Sequence, residues 1–382
     1  MKQGEFAELL FVQRVTFVKA LLHVLATQNI SRWRLLPFAV VLIKALLRVR
    51  TMMAYGISYH TITPQGKPIL ASGVVYVPMK GKIKGVIEVS PLTRSKIDCA
   101  TRDTMSPEVF PSMLGYVCII PDLIGCGVSE ELPIAYLQHE NVAQVQADMR
   151  HATEQFMRKQ HNFTLPSTSI LFGYSLGASG IWALARHYQI HPELDVHVSH
   201  IFAGGGAYYP DVVLRALHKA RYSDYAIMPN ILYSMNYYDK LNLDFKEIFR
   251  GKLLKNYKEW CLGKIPIPEM TVMLGTRLDK YINFKFFSDD NPAFRRMMEV
   301  VTTKSIPEDW IPKAKIHLLH SKRDTYVPIA SFWALYGRLK RCNASVEYRL
   351  VDYDHVPAAV PFVLGFMRFL MNHRTTKKQY LR

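Results

Sequence analysis

The residues best suited to covalent chemistry stand together at Gly173-Tyr174-Ser175-Leu176-Gly177. A serine hydroxyl is a weak nucleophile at neutral pH. Ser175 therefore needs a base, and the base needs an orienting group. The compact run at 168–172 reads as a buried strand, and 181–188 reads as a helix. Gly-x-Ser-x-Gly between a strand and a helix is the context of a nucleophile elbow. Its glycines let the two elements nearly touch, and the turn holds the hydroxyl out in strained geometry. The base is expected on a loop beyond the last strand. His355 fits, in Asp352-Tyr353-Asp354-His355-Val356-Pro357. The orienter is expected on the loop after the preceding strand. Asp324 fits, within His320-Ser321-Lys322-Arg323-Asp324-Thr325-Tyr326-Val327-Pro328. His187 and His320 follow no such strand. A developing oxyanion needs two N–H donors. One is Leu176, directly after the serine. The other belongs to the loop Ser90-Pro91-Leu92-Thr93-Arg94, where Pro91 has no N–H and either Leu92 or Thr93 can serve.

The elements that must position these groups alternate. Strands are expected at 56–62, 72–78, 84–90, 116–120, 168–172, 198–203, 315–320 and 345–350. Helices are expected at 139–159, 329–339 and 360–371, with a short one at 106–114. Strands alternating with helices predict a mostly parallel sheet with helices on both faces. Residues 205–313 break the alternation. They carry helical and aromatic segments and read as a helical insertion capping the site, in which Met228, Met235, Met270 and Met273 are candidates to line an acyl pocket. The core is thus expected in two parts, 55–204 and 314–382.

Residues 1–54 read as a helical extension, with an amphipathic helix over Phe6–Ala26. The uncharged run at 35–43 is too short to span a bilayer and lies too deep for a secretory signal. Packing on the domain is one reading of this extension, peripheral contact with a membrane surface is a second, and a signal peptide with an unusual start is the third.

Gly173-Tyr174-Ser175-Leu176-Gly177, Pro121-Asp122-Leu123-Ile124-Gly125-Cys126-Gly127, Asp324 and His355 together resemble the α/β-hydrolase superfamily. The stretch at 59–78 resembles its secretory lipase and esterase branch. The resemblance covers about residues 55–204 and 314–382. It implies an α/β-hydrolase fold and ester hydrolysis through an acyl-enzyme, with neither metal nor organic cofactor, on a small-molecule ester with an apolar acyl chain. A peptidase or an acyltransferase would use the same three residues. A non-catalytic binding protein on this fold usually loses one of them.

The chain has 382 residues and 49% hydrophobic content, enough for one large core with an insertion. Its net charge of +17 is uneven. Residues 1–54 hold eight Lys/Arg against two acids, and 355–382 hold five against none, so the two ends carry +11. No zinc-finger, RNA-binding or helix-turn-helix pattern accompanies that charge, which argues against nucleic acid. Five unpatterned cysteines imply neither a disulfide framework nor a metal cluster.

Overall fold

The computed structural model describes residues 2–27, 48–373 and 379–380. β1 (Phe6–Val15) runs into α1 (Phe17–Thr27). β2 (Met52–Ile62) and β3 (Pro68–Pro78) form a hairpin. The short β4 (Lys82–Ile83) and β5 (Val86–Val89) precede β6 (Val117–Pro121). Then come α2 (His139–His161), β7 (Thr168–Tyr174), α3 (Leu176–Ile190) and β8 (His197–Gly204). The insertion supplies α4 (Pro210–Ala220), α5 (Met228–Tyr238), α6 (Phe245–Ile248), α7 (Gly251–Trp260), α8 (Ile267–Leu274) and α9 (Pro292–Thr303). The alternation resumes with β9 (Lys315–Ser321), α10 (Ala330–Arg341), β10 (Val346–Val351) and α11 (His355–Asn372). A terminal β11 (Gln379–Tyr380) pairs with β4.

Nine strands form one sheet in the order β1-β2-β3-β6-β5-β7-β8-β9-β10. The first four in that order are joined antiparallel. From β6 to β10 every pairing is parallel. A parallel sheet must be covered on both faces, and the side-chain alternation shows how. Ile170 and Phe172 pack with α1 and α11, while Leu171 between them packs with α3 and α10. Phe362 and Phe366 of α11 stack on Phe172 with ring centroids 4.9 and 4.7 Å apart. The insertion has an apolar core of its own, built around Met235, Phe245, Phe249, Met270 and Met297. The carboxyl ends of β5, β7, β8, β9 and β10 all lie along one edge, where ligands bind in open α/β sheets.

The N-terminal stretch differs from its expected form. Residues 6–15 are a strand, and only 17–27 are helical. Apolar residues at Phe6, Leu9, Leu10, Phe11 and Val15 satisfy both periods locally. A distant partner decides: β1 pairs antiparallel along β2, from Phe6 opposite Tyr59 to Val15 opposite Met52. The boundary expected between 54 and 55 therefore falls inside β2. The run at 35–43 lies outside the described residues. No helix among the described residues is long and apolar enough to cross a membrane.

His187 on α3 and His200 on β8 are pushed down to about 4, by burial first and then by neighbouring imidazoles. A lowered histidine stabilises the fold above its unfolded value, near 6.5, and that contribution is lost as pH falls from there towards 4. We expect the melting temperature to fall steadily between those values. His187→Asn should flatten the profile; an equal slope in the variant would remove His187 as a cause.

Candidate active site

Ser175 sits between the end of β7 and the start of α3, with φ 56° and ψ −123°. That conformation is costly for a residue with a Cβ. It is enforced on both sides. The Ser175 N–H donates to Gly204 O at 2.8 Å, tying the turn to β8. A Cβ on Gly173 would lie 2.3 Å from Gly177 O, and one on Gly177 would lie 2.3 Å from Ser90 O. Both neighbours are backbone and cannot step aside. Gly177→Ala should therefore push the 90–93 loop away from Ser175. The expected loss in kcat/KM on an ester is about 100-fold, the scale of misplacing a reacting group by about 1 Å. A variant within twofold of wild type would show that the close approach has no functional use.

The structure brings the three separated residues together. The Ser175 hydroxyl is 2.9 Å from His355 Nε2, and His355 Nδ1 is 2.6 Å from Asp324 Oδ2. The other carboxylate oxygen, Oδ1, accepts the N–H groups of Tyr326 at 3.0 Å and Val327 at 2.8 Å. Both Asp324 and His355 are buried. His355 is the first residue of α11 rather than a loop residue, because that helix starts before residue 360. Tyr326 stacks on the imidazole at 4.8 Å, and Tyr225 of the cap stacks on Tyr326 at 4.6 Å. Burial, then the nearby carboxylates, push the Tyr326 phenol up to about 12, so it stays neutral. The Tyr174 phenol is likewise raised by burial and donates to His355 O. His320 is buried at the end of β9; its Nε2–H donates to Val327 O at 2.9 Å and lies 3.8 Å from Asp324 Oδ2, while the Ser175 hydroxyl is bonded to His355.

The oxyanion candidates separate. Leu176 opens α3, where a first-turn N–H has no intrahelical carbonyl. The Leu92 N–H is taken: it donates to Glu108 Oε1 at 2.9 Å. That corrects Leu92 as a candidate. The buried Glu108 is itself paired with the buried Arg94, whose second partner is Asp103 at 3.6 Å. No hydrogen bond to another described residue occupies the Thr93 N–H, and Thr93 lines the same space as Ser175. Glu108 carries no motif signal; only its place 16 residues beyond Leu92, in a short turn, brings it here.

Two apolar cavities meet at the serine. Thr93, Ser175, Tyr225 and Tyr326 line both. One, of about 230 Å³, extends between α1 and α11. The other, of about 110 Å³, extends into the insertion and is lined by Met228 and Met235. Met270 and Met273 belong to the core of the insertion instead.

Comparison of the sequence with protein-family models and with curated proteins returned no match. Comparison of the structure returned many. A Legionella pneumophila protein assigned as a hydrolase superposes with a TM-score of 0.77 at 22% identity, covering 96% of this chain and 98% of that one. The rice cell wall degrading esterase LipA of Xanthomonas oryzae gives 0.75 at 17% identity, covering 97% and 98%. Candida antarctica lipase A gives 0.67 at 12% identity, covering 99% and 84%. With its parallel strands β6 to β10, the strand-turn-helix at Ser175 and a helical insertion after β8, the chain has the α/β-hydrolase fold shared by these hydrolase, esterase and lipase structures.

Proposed function

We propose that the protein is a serine hydrolase that cleaves carboxylic esters. The observation that carries this reading is the unbroken chain of hydrogen bonds from the Ser175 hydroxyl through His355 to the buried Asp324. In the proposed sequence, Ser175 Oγ attacks the ester carbonyl as its proton passes to His355 Nε2. The N–H groups of Leu176 and Thr93 receive the carbonyl oxygen as it becomes negative. His355 returns the proton to the alkoxide, which departs as the alcohol. Water, deprotonated by the same imidazole, then releases the acid from Ser175. Asp324 holds Nδ1 protonated and stabilises the imidazolium. The apolar cavities favour apolar acyl or alkyl groups. The names of two structural neighbours, an esterase and a lipase, favour esters over amides.

A fluorophosphonate probe tests the nucleophile. It should label the wild type and leave Ser175→Ala unlabelled; equal labelling would end the proposal. p-Nitrophenyl esters should then turn over while aminoacyl-anilides do not. The reverse preference would indicate a peptidase. Turnover only with an added alcohol or thiol acceptor would indicate an acyltransferase.

A further inference from the structure

The two cavities at Ser175 are not equivalent, and the difference assigns them. During acylation His355 Nε2 must face the leaving oxygen, because it returns the proton there. The carbonyl oxygen must face Leu176 N–H. These demands fix how an ester lies across Ser175. Its alcohol side points towards the imidazole and its acyl side points away.

His355 lines the larger cavity and not the smaller one. The next turns of its own helix, at Ala359, Val360 and Val363, continue the wall of the larger cavity. Phe17, Leu21, Val24 and Leu25 of α1 form the opposite wall. Leu176 lines the smaller cavity and not the larger. Its wall continues through Ile231 and Met235 of α5 to Met297 and Val301 of α9.

The charged groups that line the larger cavity away from Ser175 are largely engaged, with only Arg94 Nε left without a partner among the described residues. Arg94 is paired with Glu108 and Asp103, and Asp98 accepts from the Ser95 hydroxyl at 2.7 Å. A polar or charged leaving group would therefore find few free partners there, and its own desolvation would go unmatched.

We propose that the site takes esters apolar on both sides of the scissile bond, with the alkyl group of the leaving alcohol between α1 and α11 and the acyl chain inside the cap. The assignment rests on the reading of Ser175 as nucleophile and His355 as its base. It names the substrate class as an ester of a fatty acid with an alkyl or similarly apolar alcohol. It also gives α1 a role in alcohol selection.

Heptyl acetate and methyl octanoate test it, since they are isomers that differ in which side carries the chain. The quantity read is the ratio of kcat/KM for heptyl acetate to that for methyl octanoate. Val363→Phe and Leu21→Phe narrow the larger cavity from opposite walls and should each lower the ratio by about tenfold. Ile231→Phe and Val301→Phe narrow the smaller cavity and should each raise it by about tenfold. Two variants per cavity, on different helices, guard against one that fails to fold. Opposite signs, or a ratio that no variant moves, would overturn the assignment. If fluorophosphonate labels Ser175 but neither ester is hydrolysed, the substrate class falls and the nucleophile stands. Absence of labelling would remove the ester-hydrolase reading itself.

Discussion

Ser175→Gly is expected to abolish ester hydrolysis and to raise the melting temperature in the same step. The backbone at Ser175, φ 56° and ψ −123°, lies outside the regions that residues with a Cβ occupy readily. Such a conformation costs about 1–3 kcal/mol and persists only because its surroundings hold it. Here the Gly204 carbonyl and the packed glycines at 173 and 177 do so. Glycine adopts the same angles without strain, although its freer unfolded chain offsets about 0.5–1 kcal/mol of that gain. The net gain should appear as an upward shift of roughly 1–3 °C. Ser175→Ala separates the two effects. It loses the nucleophile but keeps the strain, so its activity should fall equally and its melting temperature should stay below that of the glycine variant. The fall in kcat/KM should be on the order of 10⁴ to 10⁶ for both. Calorimetry and ester turnover on the three proteins check this. A glycine variant less stable than the alanine variant would mean that the backbone here is not under strain.

The parts of the fold legible in the sequence are those where local pattern and global demand agree. The Gly-x-Ser-x-Gly stretch sits between an apolar run and a small-residue helix, and the fold holds it at the strand-to-helix turn for the same steric reason. Asp324 and His355 were readable because strand order alone puts the ends of β9 and β10 on the edge where β7 ends. β1 was not legible, since its residues suit a helix about as well as a strand and only a pairing some forty residues away settles the matter. The choice between Leu92 and Thr93 was not legible either. Both carry an N–H, and the difference lies in a buried carboxylate that accepts one of them. Nor could the sequence show that α1, the segment least like the rest of the chain, closes the cavity beside His355.

The same features connect stability to function. Glu108 occupies the Leu92 N–H and anchors Arg94, so the turn carrying Thr93, the proposed second oxyanion donor, is held by a buried ion pair. A buried carboxylate left without its partner is far costlier than the pair is stabilising. The loop is thus held in place without a ligand, as the proposed donor role would require.

Asp324→Asn is the second substitution expected to have a large effect, and hydrogen-bond polarity explains why. Asp324 Oδ1 accepts two buried backbone N–H groups, from Tyr326 and Val327. An asparagine must keep its oxygen there, because its amide nitrogen cannot accept. The NH₂ group then faces His355 Nδ1, which sits 2.6 Å from Oδ2 in the wild type. Nδ1 must become an acceptor, and the imidazole proton moves to Nε2. Nε2 can then only donate towards Ser175 Oγ, 2.9 Å away, so it cannot take the serine proton. The expected loss in kcat/KM is about 10⁴-fold, with the folded geometry intact. Stability should change by less than about 1 kcal/mol, since both backbone donors keep an acceptor. Asp324→Ala should behave differently. It strands the same two N–H groups and should cost about 1–3 kcal/mol for each one left without water. Comparing kcat/KM and melting temperature for the two variants separates tautomer control from simple structural support. If Asp324→Asn kept a tenth or more of wild-type activity, the carboxylate would not be setting the tautomer of His355, and the acid-base role assigned to that imidazole would need another orienting group.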